Sequence, residues 1–187
     1  MPNMGTRRGL ACGVAVLLFA ASLWQLGGAA LIAGKAWLAP VLIERAWHET
    51  IATGAPVNPW PWADTYPLAE LGLPGSAKPL YVLAGEDMRA LAFGPVSLGG
   101  EPTVVFGHRD THFNFLDEIS VGDVVTFRKA RVKAKKYRVG RAWVAHKDAM
   151  FLPAGDPRAL LLVTCYPLGM QVRETNERYI VYATLDE

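Results

Sequence analysis

Few side chains in this sequence can bind a metal or attack a carbonyl. Its 187 residues include only four histidines and two cysteines. His108 and His112 share a helix-like spacing, but no glutamate lies between them and a zinc ion needs further ligands. No acidic cluster marks a calcium site. The reading is therefore a chain with no metal and no other cofactor. Strong charge of one sign is also missing. A formal net charge of +2 excludes the broad positive field of a nucleic-acid binder, so no nucleic-acid partner is expected. No internal repeat is visible.

The shortage of cysteine makes the two that exist informative. Cys12 lies in GLACGVAVLLFAASLWQLGGAALIAG, residues 9–34, which has no charged side chain. At about 1.5 Å per residue that run spans roughly 39 Å, enough to cross a bilayer of about 30 Å with some tilt. Arg7 and Arg8 precede it, which predicts a cytoplasmic N-terminus and an extracytoplasmic remainder. Residues 1–34 are thus expected to form a cytoplasmic tip and a transmembrane anchor. The small residues of GGAALIAGKA leave a cleaved signal as the competing reading, though its core is usually shorter. Either way Cys165 is a lone thiol in an exported domain, where thiols tend to be oxidised. Such a thiol needs a reason.

Residues 35–62 begin helix-like and end in GAPVNPWPW, where Pro56, Pro59 and Pro61 stop regular structure. They are read as a juxtamembrane helix and a stiff linker, whose tryptophans either sit at the bilayer interface or pack on the domain. From residue 63 to residue 187 short β runs alternate with turns. The candidates are Thr65–Leu71, Leu80–Leu83, Thr103–Gly107, Asp123–Phe127, Lys135–Val144, Ala159–Thr164 and Tyr179–Leu185. Short helical pieces are predicted at Met88–Leu91 and Asn114–Ile119. This pattern predicts an all-β domain, a closed or nearly closed barrel of seven or eight strands. Nine Lys or Arg residues and no acid fall between Arg128 and Lys147. A solvated β-ribbon and an attraction to an anionic surface both fit them.

A thiol attacks carbonyls as the thiolate, and a nearby histidine favours that form. His48 falls in the linker helix and His146 in the basic stretch. His108 follows the apolar run TVVF and Gly107, where a strand end projects it into a cleft. Cys165 mirrors it at the end of LLLVT. Two such ends on one sheet edge bring imidazole and thiol together. Acyl transfer also needs a donor for the oxyanion, and arginine supplies several. Arg173 and Arg178 both follow Cys165. Arg178 opens the last strand, RYIVYATL, and is favoured for that placement.

Together GHRDTHF, the strand-ending LVTC, a following arginine and the N-terminal apolar run resemble the sortase family. The PWPWADTYPLAELGLP and ALAFGP segments are most similar to the class GN sortases of Gram-negative bacteria. The resemblance implies a sortase β-barrel over residues 63–187 and a cysteine transpeptidase at the inner membrane with its domain in the periplasm. It implies that Cys165 cleaves an LPXTG-like sorting signal through a thioester, which an amine acceptor of the envelope then resolves. It implies His108 as general acid/base and Arg178 as the oxyanion and substrate-positioning residue. Thr164 is a candidate substrate contact. Two alternatives stay open: a thiol peptidase that hydrolyses the same signal, and a non-catalytic module that holds peptide or wall polymer.

Overall fold

The computed structural model describes residues 4–85, 88–149, 156–169 and 175–186, with the side chains of 4–12, 29–33 and 35–36 left aside. The chain divides into two compact units, residues 1–40 and 41–187. A helix, α1 (Met4–Thr53), runs through both.

In the first unit the apolar side chains described at positions 13–28 are exposed. Among the described residues no helix is long and apolar enough to cross a membrane. The transmembrane anchor expected over residues 9–34 is therefore not part of the fold established here.

In the second unit the strands are β1 (Pro67–Gly72), β2 (Leu80–Ala84), β3 (Val96–Ser97), β4 (Thr103–Phe106), β5 (Val124–Lys129), β6 (Lys135–His146), β7 (Ala159–Cys165) and β8 (Glu177–Leu185). They close into a barrel in the order β1-β2-β3-β4-β7-β8-β6-β5. Seven coincide with the predicted runs. β3 escaped because two residues carry no periodicity. Met88–Ala92 forms a 3-10 helix, whereas Asn114–Ile119, predicted helical, is a chain of turns closed by bonds such as Leu116 N–H to Phe113 O.

Strand β7 explains its own apolar run. Leu160 and Leu162 face the barrel interior with Val105, Phe113, Val125 and Val181. Ala159, Leu161 and Val163 face outward into a second cluster with Ile180, bordered by Val104, Phe106, Trp143 and Tyr182. A strand buried on both faces reads as continuous hydrophobic sequence rather than as an alternation.

Residues 41–53 of α1 belong to this unit and pack on the barrel. Trp47 is fully buried, and its Nε1 donates to Glu70 Oε1 at 2.7 Å. Ile43 packs with Leu83, Ala90 and Val96. The tryptophans left open by the sequence thus divide: Trp47 and Trp60 pack on the domain, and Trp62 is exposed. The helix stops at Gly54, whose φ of 81° suits the left-handed position after a helix. The last carbonyls, of Ile51 and Ala52, accept from Arg131.

The basic stretch is partly spent on such contacts. Besides Arg131, Arg128 pairs with Glu70 and lies over Trp47, and Arg138 pairs with Asp186. Arg141 lies over Trp143 and Tyr182. Lys133, Lys135 and Lys136 are exposed around the start of β6.

Candidate active site

Three adjacent strands position the site. β4 and β7 are parallel, with Phe106 beside Val163. Gly107 N–H donates to Val163 O at 3.0 Å, which carries the pairing past the end of β4. His108 follows Phe106 by two residues, as Cys165 follows Val163. β8 is antiparallel to β7, and Arg178 stands directly opposite Cys165. Side chains alternate along a strand. Cys165 therefore shares the outward face with Leu161 and Val163, the face that Val104 and Phe106 also border. Directly opposed residues of an antiparallel pair share a face, which places Arg178 there too. The thiol is free and half-buried, between an exposed histidine and a half-buried arginine.

Small contacts hold these strand ends. The Thr164 hydroxyl donates to Gly107 O at 2.7 Å, and Thr164 is buried. Its side chain is thus turned into the fold and bonded there, not presented to a substrate as the sequence reading had it. Gly107 serves as a point of close approach. A Cβ there would sit 2.4 Å from the Phe113 ring. Phe113 N–H returns to His108 O at 3.0 Å, closing the loop that carries the histidine.

Arg178 Nη1 donates to Thr175 O at 3.0 Å and Glu177 O at 2.9 Å, so its guanidinium is braced by backbone. Arg173, the competing arginine, lies outside the described residues.

A residue that the sequence reading passed over completes the surroundings. Arg109 is buried, and its Nε and Nη2 reach the two carboxylate oxygens of Asp110 at 2.7 and 3.1 Å. Its Nη1 donates to Pro167 O at 3.1 Å. That fork holds the Asp110 carboxyl below the usual carboxylate range, with a smaller contribution from His108. The signal was available, since an arginine between a histidine and an aspartate in a tight turn has a ready partner. Next to it, His112 lies with its ring centroid 6.4 Å from that of His108. Burial first, and His108 second, push its imidazole toward the neutral form.

A cavity of about 480 Å³ lined by Asp64, Tyr66, Arg89 and Ser97 opens at the far ends of β2 and β3. The one paired residue of β3, Val96, stands opposite Phe106 at the end of β4, and His108, Cys165 and Arg178 are not among the lining residues of this cavity.

The comparisons agree with the fold. The structure is similar to sortase A from Corynebacterium diphtheriae, at 23% identity over 67% of this chain and 63% of that one, with a TM-score of 0.55. It is similar to sortase C-1 from Actinomyces oris, at 24% identity over 65% of this chain and 73% of that one, with a TM-score of 0.52. A lid mutant of the Corynebacterium diphtheriae enzyme aligns over 80% of this chain and 94% of that one, at 20% identity and a TM-score of 0.55. These likenesses speak for the fold, and the chain spans less than two thirds of the first of them. No curated protein sequence matches the chain. Residues 72–186 match the sortase domain family, more than half of the chain, and the barrel that carries His108, Cys165 and Arg178 belongs to the sortase family.

Proposed function

We propose that this chain is a cysteine transpeptidase acting on a C-terminal sorting signal of the LPXTG type. The observation that carries the reading is the register of β4, β7 and β8: Cys165 stands opposite Arg178, and β4 ends beside Val163 two residues before His108.

The Cys165 thiolate attacks the carbonyl carbon of the scissile threonine–glycine bond. The carbonyl oxygen becomes an oxyanion, which Arg178 stabilises with a donor aimed at it. His108, protonated, gives its proton to the leaving glycine nitrogen, and a thioester on Cys165 remains. An incoming amine then loses a proton to His108 and attacks the thioester. A new amide forms and the thiolate returns. Val104 and Phe106, half-buried on the face that Cys165 shares, suit the leucine and proline side chains of such a signal.

We place the chain at the inner membrane through residues 9–34, with its domain in the periplasm. The uncharged run and the Arg7–Arg8 pair support that placement.

The test uses the full-length chain with an LPXTG-type peptide and intact mass spectrometry, with Cys165→Ala as control. An acyl adduct on Cys165, discharged faster by an added amine and yielding the amide product, supports transpeptidation. Discharge to the acid alone moves the assignment to a peptidase. A folded chain that forms no adduct across a peptide panel leaves a binding module.

A further inference from the structure

Arg109 has no part in the chemistry above, yet it is the charged group most firmly built into the site. Its side chain is 6% exposed, whereas that of its partner Asp110 is 66% exposed. The guanidinium therefore lies beneath the carboxylate, on the inner side. It follows His108 by one residue, and the carbonyl it holds, Pro167 O, follows Cys165 by two. One side chain thus ties the loop carrying the histidine to the turn after the cysteine.

A staple alone would not require a charge. An arginine stays protonated at any pH the protein meets, so this fork fixes a permanent positive charge between the loop that carries His108 and the turn that follows Cys165. Arg109 holds its proton more firmly than usual, first because of the bond to Asp110. Asp110 acts against that charge from the solvent side, where water weakens its reach.

We propose that Arg109 is a positioning residue that clamps the His108 loop to the Cys165 turn and stabilises the Cys165 thiolate, with Asp110 as the counter-charge that limits this stabilisation. The inference rests on Cys165 being the nucleophile. The charged groups about the thiol are then His108 from the end of β4, Arg178 from β8, and the Arg109–Asp110 pair from the loop, with His112 beside His108.

The two members of the pair make opposite predictions. The experiment follows alkylation of Cys165 by iodoacetamide against pH in the full-length chain, with Cys12 resolved as a separate peptide by mass. It is run in a His108→Ala background, so that no imidazole titrates alongside at that position. Arg109→Gln is expected to raise the midpoint of the rate profile by about half to one pH unit, and Asp110→Asn to lower it by about half a unit. A purely structural clamp moves both variants in one direction, because each breaks the same pair. Shifts in one direction, or no resolvable shift, overturn the proposal. Arg109→Lys keeps the charge and loses the fork. Its midpoint is expected to stay near that of the parent while its melting temperature falls. If Arg109→Gln does not fold, a raised midpoint in Arg109→Lys overturns the proposal instead. Alkylation needs no sorting peptide. An acyl adduct with unshifted midpoints therefore sinks this inference alone, and opposite shifts without an adduct sink only the transpeptidase reading.

Discussion

The Thr164 hydroxyl donates to the carbonyl oxygen of Gly107 across the ends of β7 and β4. One buried bond thus joins the residue before the cysteine to the residue before the histidine. Removing it leaves the Gly107 carbonyl without this donor, at a cost of about 1–3 kcal/mol. Thr164→Val is expected to melt earlier by that amount and to lose turnover, while Thr164→Ser keeps most of both. A change confined to KM, with an unchanged melting temperature, would instead return Thr164 to the substrate.

Gly107 admits no side chain. Its Cβ would meet three atoms of the Phe113 ring within 2.7 Å, and Phe113 is fully buried in the barrel core. Gly107→Ala is expected to destabilise by about 1–3 kcal/mol, as overpacking does. Pairing it with Phe113→Leu should recover part of that loss. The coupling is read by a double-mutant cycle of melting or denaturant unfolding.

Arg178 stands opposite Cys165 and is braced by carbonyls rather than by a carboxylate. Arg178→Lys keeps a charge but loses the planar fork. Its kcat is expected to fall by about 10²- to 10³-fold, the usual loss for an oxyanion donor, with little change in melting temperature. Arg173→Lys should remain near the parent. Equal losses in the two variants would remove Arg178 from its assigned role.

His112 gives stability a pH dependence of known sign. Its folded pKa lies below its unfolded one, through burial first and His108 second. The native state therefore binds fewer protons than the unfolded chain as pH drops below about 6.5, and stability falls there until the folded pKa is passed. Among the described residues its Nδ1 is also buried without a hydrogen-bond partner. His112→Phe is expected to flatten this acid-side loss in melting experiments and to cost nothing at neutral pH, since an unpaired buried nitrogen goes with it. An undiminished acid-side loss in that variant would assign it to other groups.

Trp47 binds residues 41–53 of α1 to the barrel, through full burial and the bond to Glu70. Trp47→Ala is expected to cost about 3–5 kcal/mol. A fragment beginning at residue 63 lacks the same contacts and should unfold well below the temperature of the full chain. Equal melting temperatures would show that the helix merely rests on the domain.

The local sequence already determined a good deal. Short apolar or alternating runs bounded by turn residues located seven of the eight strands to within two residues at either end, because a half-buried strand alternates and a strand buried on both faces, such as β7, is continuously apolar. LLLVTC and TVVFGH each showed a reactive side chain at the end of an apolar strand. The sortase resemblance rested on those same residues.

The tertiary structure decided what depends on partners distant in the chain. Which strand lies beside which is set by closure of the barrel. Only that closure made β4, β7 and β8 neighbours, with Arg178 opposite Cys165. Thr164 changed its meaning for the same reason. A β-branched residue before a cysteine looks available in one dimension, and its acceptor, Gly107 O, comes from another strand. Residues 41–53 look like part of a linker until the barrel surface that buries Trp47 is present. Arg109 stood in plain view in GHRD. Its burial, and with it the strength of its charge, comes from the turn after Cys165, which the chain reaches only more than fifty residues later. Periodicity and turn chemistry are local and can be read from the chain, whereas burial and proximity belong to pairs of segments that only folding brings together.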